Sequence, residues 1–416
     1  MTPAYERLPE RDGAGAHLDA RIRTSLGRGV ELAVRALVAP TLLAARWLPA
    51  RERPTGDAVP VARASLGLGF KMLLDEVFFL TEVLSAPTAS LADRHRFRAE
   101  VAEALALYAE RGWLDEPLGY HPTPPPAEPI EVRRAAARGL AFQHLRFDSG
   151  YAPHPGEPGR ARWLGYAANR TAHAWVLEHA GPPRPWLVCV PGYRMGHPLV
   201  DFTGFPAAWL HHRLGLNVAI PVLPLHGPRR IGLRSGDGFL SGDYIDTVHM
   251  QAQAVWDVRR LVGWLRARGA RTIGAYGVSL GAYTTALLAA LEADLACVIA
   301  GISVTCYVSA VRWNLPPFLV ALAERIGPPW AEIERLCRVI SPLALPPRVA
   351  PERRYLFGAL GDRLASPYDT TALWRHWGRP RLVWYAGGHV SFTWEAEVRA
   401  LLREALAASG MGGGLR

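Results

Sequence analysis

Residues 140–388 alternate between short apolar runs and longer segments with helical spacing, and this alternation restricts the possible folds more than any other feature. Helices are predicted at 202–213, 245–268, 280–292, 368–376 and 393–407. Strands are predicted at 140–148, 171–179, 185–192, 216–224, 271–279, 295–304, 354–360 and 381–388. Strands separated by helices indicate a mostly parallel sheet with helices on both faces. Functional side chains in such α/β folds lie at the carboxyl ends of the strands.

The first third of the chain has a different pattern. Residues 1–120 repeat apolar residues at three-to-four spacing, which predicts a helical N-terminal region. The segment "GYHPTPPPAEPIE" (119–131) is rich in proline and predicts a stiff linker. We therefore place a linker at 121–135 and the α/β domain at 136–416.

Composition argues against several functional classes. Half of the 416 residues are apolar, which is typical of a globular protein. The net charge is +10, but no dense basic run with interleaved aromatic residues occurs, so we expect no nucleic-acid partner. The four cysteines form no CxxC pair, so the sequence predicts neither a metal site nor a disulfide framework.

The N-terminal sequence has no charged-then-apolar secretion signal, so we expect a cytoplasmic location. The best membrane candidate, residues 29–50, is interrupted by Arg35, Pro40 and Arg46 and is too broken to span a bilayer. A helix within 21–50 could contact a membrane peripherally, or it could pack on its own domain. The oligomeric state does not follow from the sequence.

A glycine-flanked serine marks the expected site. Residues 277–281 read GVSLG, which matches G-x-S-x-G, and they lie between a predicted strand and a predicted helix. A tight strand-to-helix turn would expose the Ser279 hydroxyl at the sheet edge, and flanking glycines leave room for neighbouring backbone. Ser279 is therefore the predicted nucleophile.

A serine nucleophile needs a histidine base and a carboxylate that orients it. His389 directly follows the last predicted strand in "LVWYAGGHVSF", and Asp362 follows the preceding one in "YLFGALGDRLASP". Both positions lie in loops where the side chains can converge with Ser279. The other histidines considered as the base, His197, His226 and His249, lack this context.

Two backbone N–H groups must bind the oxyanion that forms during attack. One is expected from Leu280, the residue after the nucleophile. The other is expected from the loop "VCVPGYRMGHP" (188–198), where Gly192 allows a turn and Tyr193 presents its N–H; Arg194 is the alternative donor.

With these motifs in place, residues 140–410 resemble an α/β-hydrolase. "YGVSLGAY", "GDRLASP", "GGHVSF" and "PVLPLHGPRR" resemble the family of alpha/beta-hydrolase domain-containing protein 18, and "DVRRLVGWL" is similar to acetyl-xylan esterases and dienelactone hydrolases. The order Ser279, Asp362, His389 is the order of this superfamily. The resemblance implies hydrolysis of an ester, amide or thioester without metal or organic cofactor, and the narrower family implies lipid acyl chains.

The segment at about 305–350 is predicted to be a helical cap inserted over the site. Trp313, Phe318 and Trp330 could shape an apolar acyl pocket, or they could simply pack the cap on the domain. Arg229 and Arg230 could steer an anionic head group, although a solvated loop is the simpler interpretation.

The sequence thus predicts a serine hydrolase that cleaves a carboxylic ester, possibly of a lipid, through an acyl-enzyme. Thioesterase and peptidase activities are the alternatives among enzymes. A catalytically silent α/β-hydrolase acting as a binding module is the alternative outside them, but such proteins normally lack one triad member.

Overall fold

The computed structural model describes residues 59–85, 91–239, 241 and 243–412, together with 39–40, 42–44 and 46. The helical prediction for residues 1–38 lies outside the described residues, as does most of the segment 21–50 for which membrane contact was considered. That contact stays a prediction. Within the described residues, no helix is both long and apolar enough to cross a membrane.

The centre of the fold is a nine-stranded sheet with the order β1-β2-β3-β5-β4-β6-β7-β8-β9. Strands β1, β2, β3 and β5 pair antiparallel, whereas β5, β4 and β6 to β9 pair parallel. The predicted α/β-hydrolase fold is thereby confirmed. The strands are Ile130–Ala137, Leu140–Asp148, Thr171–Leu177, Trp186–Val190, Asn217–Val222, Ile273–Val278, Val298–Gly301, Arg354–Ala359 and Arg381–Tyr385.

All eight predicted strands are present, and the strand missed is β1 at the sheet edge. Residues 130–135 belong to β1 and not, as predicted, to an extended linker. The strand lies at the edge, and its residues are exposed or half-buried. Its sequence IEVRRAAA therefore lacks the apolar alternation by which a half-buried strand is recognised.

Eleven helices that have both ends within the described chain, numbered α1 to α11, surround the sheet, and residues 39–40, 42–44 and 46 are also helical. The eleven are Leu66–Ser85, Leu91–Glu110, Arg160–Gly165, Pro198–Gly204, Tyr244–Ala267, Leu280–Leu291, Tyr307–Asn314, Pro317–Ile326, Trp330–Leu336, Pro367–His376 and Ala396–Ala408. The single helix predicted at 202–213 is in fact α4 followed by a separate π-helical turn at Trp209–Arg213. Pro206 lies between the two elements, and it has no backbone N–H group that could donate the next helical hydrogen bond of α4.

Alternate residues of the central strands face two apolar layers. In β4, Trp186, Val188 and Val190 pack in the layer that contains α5, α6 and the cap helix α9. Leu187 and Cys189 point into the opposite layer, which contains α4 and α11. Both faces are therefore covered, which explains why the central strands read as unbroken apolar runs.

The N-terminal helices pack on this domain in different ways. Helix α2 adds Val101, Ala104 and Tyr108 to the layer of α5 and α6. Helix α1 has an unusual burial pattern, because Asp75 and Glu76 are buried. By contrast, four of its apolar residues are each more than half exposed: Leu66, Phe70, Leu73 and Val77. The inward face of α1 is thus partly polar, and what it contacts is described below.

Arg229 does not lie in a solvated loop, contrary to the expectation. Its side chain is fully buried, pairs with Asp257 at 2.8 Å and donates to the carbonyl oxygens of Val222 and Asn169. Arg230 is exposed. The Arg229 guanidinium is therefore buried and paired, and it is not available to a substrate head group.

We predict that Arg229→Ala lowers the free energy of unfolding by about 3–5 kcal/mol, because it leaves Asp257 buried without its cation. The double variant Arg229→Met, Asp257→Leu should be closer to wild type, since it removes both charges. Urea unfolding of the three proteins measures both effects. A single variant as stable as wild type would contradict the interpretation.

Candidate active site

Ser279 occupies the sharp turn between β6 and α6 that the motif predicts. Its backbone has φ 56° and ψ −119°, a combination that a non-glycine residue rarely adopts. The Ser279 N–H donates to Gly301 O at 3.0 Å, and the Ser279 carbonyl accepts from Tyr283 N at 3.1 Å. The strained residue is therefore held from the neighbouring strand on one side and from the helix on the other.

Two glycines make this turn sterically possible. A Cβ atom on Gly277 would overlap the carbonyl oxygen of Gly281 and the hydroxyl of Thr285. A Cβ atom on Gly281 would overlap the carbonyl oxygens of Val190 and Pro191 at the end of β4. Both motif positions are consequently restricted to glycine by backbone contacts.

Asp362 and His389 form a hydrogen-bonded pair in the loops after β8 and β9. The His389 Nδ1 and Asp362 Oδ2 atoms are 2.7 Å apart. The other carboxylate oxygen, Asp362 Oδ1, accepts from Leu364 N at 2.9 Å and Ala365 N at 2.7 Å. This arrangement fixes the carboxylate and favours the tautomer with the proton on Nδ1, which leaves Nε2 free to act as a base.

The environment of His389 favours its protonated form. Burial by itself lowers the pKa of His389, but the charge and hydrogen bond of Asp362, together with the charge of Asp75, outweigh it. The net result is a pKa raised above the ordinary value for histidine. An imidazole with a raised pKa is a stronger proton acceptor.

Ser279 lies at the same carboxyl edge of the sheet, and its side chain is half-buried. Among the described residues, no hydrogen bond joins the Ser279 hydroxyl to His389. Such bonds are often long in enzymes without substrate and tighten when substrate binds. The structure thus joins Asp362 and His389 directly and places Ser279 in the predicted strand-to-helix turn.

The loop after β4 lies against the nucleophile. A Cβ atom on Gly192 would be 3.4 Å from Ser279 Cβ and 3.2 Å from Val278 O, so the loop backbone closely approaches the turn. Within the described part of the chain, neither the Tyr193 N–H nor the Leu280 N–H donates a hydrogen bond. Both amides can therefore still donate a hydrogen bond to an oxyanion, which is the role that the sequence analysis predicts for them.

Helix α1 contacts both halves of the site, which the sequence analysis missed. Glu82 Oε2 accepts from the Tyr193 hydroxyl at 3.1 Å and from Arg194 Nε at 2.9 Å, which fixes the loop after β4. Asp75 accepts three backbone hydrogen bonds from the loops of Asp362 and His389. The available signal was the acidic pair Asp75-Glu76 within a largely apolar helix.

The three histidines that the sequence analysis rejected as the base each form a hydrogen bond with a nearby backbone group. His226 Nδ1 lies 2.8 Å from Pro224 O, and burial lowers the pKa of His226 to about 4. His249 Nε2 lies 2.9 Å from Pro158 O. His197 caps α4 by accepting from Leu199 N at 3.3 Å.

The three cap aromatics lie in different environments. Trp330 is buried, and its indole N–H donates to Val320 O at 3.3 Å, so it packs the cap internally. Trp313 on α7 is half-buried, whereas the Phe318 side chain on α8 is 62% exposed. The acyl pocket stays a prediction.

Over the described residues, no group of three or more His, Cys, Asp or Glu side chains could hold a metal ion. The described residues of the site supply a serine hydroxyl, a hydrogen-bonded histidine–carboxylate pair and two backbone N–H groups.

We predict that Gly281→Ala lowers the free energy of unfolding by roughly 2–3 kcal/mol, because the new methyl group overlaps the backbone at the end of β4. The matched control is Gly69→Ala on α1, where a Cβ atom meets nothing within 4 Å. That variant should instead gain about 0.5–1 kcal/mol, since alanine is the better helix former. Denaturant unfolding distinguishes them, and equal stabilities would contradict the packing argument.

Comparison with solved structures finds similar folds at low sequence identity. Acetyl xylan esterase 1 from Thermoanaerobacterium sp. JW/SL YS485 is 16% identical with a TM-score of 0.46, over 67% of this chain and 87% of that protein. The acetyl xylan esterase from Paenibacillus sp. R4 is 14% identical with a TM-score of 0.49, over 70% of this chain and 98% of that protein.

No protein-family model matches the chain. Two Mycobacterium tuberculosis proteins are each 42% identical to it over 364 residues, which is 85% of this chain and 86% of theirs. They are uncharacterized protein MT2702 of strain CDC 1551 / Oshkosh and uncharacterized protein Rv2627c of strain ATCC 25618 / H37Rv. At this identity and coverage, the chain belongs to the family of these two mycobacterial proteins.

Proposed function

We propose that this protein is a serine hydrolase with the triad Ser279, His389 and Asp362. The observation that carries the proposal is the strained Ser279 backbone at the G-x-S-x-G turn, at the same sheet edge as the 2.7 Å His389–Asp362 pair. Strain of this kind persists only where the surrounding structure enforces it, and it is concentrated at functional sites.

In the proposed reaction, Ser279 Oγ attacks an acyl carbonyl carbon while His389 Nε2 accepts the hydroxyl proton. Asp362 holds the imidazole and stabilises its protonated form. The N–H groups of Leu280 and Tyr193 bind the oxyanion. The protonated His389 then donates its proton to the leaving group as the acyl-enzyme forms. A water molecule, deprotonated by His389, attacks the acyl-enzyme and releases the acid and free Ser279.

For the substrate, we propose a carboxylic ester with an apolar, lipid-like acyl group. The support is the helical cap of α7, α8 and α9, whose sequence is rich in Leu, Val, Trp and Phe. The motif resemblance to the family of alpha/beta-hydrolase domain-containing protein 18 points in the same direction. Thioesterase and peptidase activities use the same triad chemistry and are outcomes that the substrate test separates.

The catalytic proposal predicts that a fluorophosphonate probe labels the wild-type protein and fails to label Ser279→Ala, since labelling requires the activated hydroxyl. The control variant is Ser409→Ala, which removes a hydroxyl at the end of α11 that bonds to Ala405 O. It should label like wild type. A folded wild type that does not react would instead favour a silent hydrolase acting as a binding module.

The substrate proposal predicts that turnover of p-nitrophenyl esters rises with acyl length to an optimum and exceeds turnover of matched peptide and thioester substrates. Trp313→Ala should move that optimum, because a smaller residue enlarges an apolar pocket. Phe318→Ala should move it less, since Phe318 is 62% exposed. An optimum at acetyl in all three proteins would contradict the lipid-like acyl group.

A further inference from the structure

One buried carboxylate of α1 bridges the two loops that carry the acid and the base. Asp75 is fully buried. Its Oδ2 atom accepts from His389 N at 2.7 Å and from Arg363 N at 3.0 Å. Its Oδ1 atom accepts from Val390 N at 3.0 Å. The backbone of His389 itself and the residue after Asp362 are thus bonded to the same side chain.

The close approach of α1 depends on the loop sequence. A Cβ atom on Gly388 would lie 2.6 Å from Lys71 O and 2.8 Å from Asp75 Oδ2, so only glycine leaves space for this contact. A Cβ atom on Gly361 would lie 2.8 Å from Leu68 Cδ1. Both loops therefore have a glycine where α1 packs against them.

Ion pairs stabilise the packing of α1 on either side of Asp75. Glu76 binds Arg46 and Arg363, each at 2.7 Å. Lys71 binds Glu395 at 2.8 Å. These contacts hold the helix in register with the loops, so the position of the Asp75 carboxylate is well defined.

We propose that Asp75 is a positioning residue for the general base: through three backbone N–H groups its carboxylate fixes the loops of His389 and Asp362 in their paired geometry. This inference rests on the proposed function, because it assigns Asp75 a role in the reactivity of the same triad. Asp75 acts through the loop backbone and its charge, and it touches no reacting atom.

A buried carboxylate is costly unless its hydrogen bonds are satisfied, and here backbone donors of two separate loops satisfy them. An apolar residue at position 75 would leave the three buried amides without an acceptor. These amides belong to the loops that carry His389 and Asp362, so the Asp75 carboxylate affects the geometry of that pair. Misplacement of a catalytic group by about 1 Å can reduce rate a hundredfold, so such bonds have a direct effect on reactivity.

The Asp75 charge also acts on His389. Burial lowers the pKa of His389, and the carboxylates of Asp362 and Asp75 raise it. Burial and the neighbouring Asp362 raise the pKa of Asp75 itself to about 6, so it is ionised at neutral pH. The further charged groups around these loops are the pair Lys71–Glu395, Glu76 with its partners Arg46 and Arg363, and the buried carboxyl of Asp369 on α10.

The test is the rate of fluorophosphonate labelling as a function of pH for wild type and Asp75→Asn. The variant should label about tenfold to a hundredfold more slowly at its optimum. The acidic limb of its pH profile, which is the pH range over which the labelling rate falls on acidification, should move to lower pH. Loss of a nearby negative charge lowers the pKa of His389, so the neutral imidazole persists to lower pH. A purely structural residue would change the amount of folded protein without moving this limb.

The matched control is Glu157→Gln, which removes another buried carboxylate that accepts a backbone hydrogen bond, from His154 N, together with two tyrosine hydroxyl hydrogen bonds, and that has no contact among the described residues with the loops of Asp362 and His389. It should keep the wild-type pH limb even if it lowers stability. Asp75→Ser gives a second, smaller neutral variant should Asp75→Asn not fold. A folded Asp75 variant with the wild-type rate and pH limb would overturn the inference, whereas a wild type that does not label would overturn the proposed function.

Discussion

The structure of the site depends on the close backbone packing around Ser279. Gly281 brings the start of α6 against the carbonyls at the end of β4, and Gly277 lets β6 meet the same helix. These contacts hold Ser279 at a positive φ and bring the loop of Gly192 against it. One close-packed arrangement therefore fixes the positions of the strand ends, of Ser279 and of the proposed oxyanion donors. Side chains larger than glycine would overlap backbone atoms in it.

Asp362 and His389 are held by contacts from outside the sheet as well as by the strands that precede them. Strands β8 and β9 bring Asp362 and His389 to neighbouring strand ends, but those ends continue into loops. Helix α1 bonds to both loops through Asp75 and to the loop after β4 through Glu82. The N-terminal region thus contributes to the geometry of the site, and its inward face is partly polar because the groups it meets include loop amides and arginines.

Much of this could be predicted because the signals are local. The strand and helix pattern, the G-x-S-x-G turn and the positions of Asp362 and His389 after strands are all visible in short windows. Strand β1 could not be predicted, because an exposed edge strand needs no apolar alternation. Arg229 was misinterpreted for a related reason: its partner Asp257 is distant in sequence, and a buried ion pair leaves no local pattern.

The sequence by itself determined the fold class, the G-x-S-x-G turn and the chain order of the three proposed triad residues, since these follow from periodicity and from motif spacing. Only the tertiary structure decided how they are held. The contacts of Asp75 with His389 and Arg363 span roughly three hundred residues. A carboxylate that acts through such distant backbone amides is recognised by its position in space, because any backbone N–H can serve as its partner regardless of the side chain beside it.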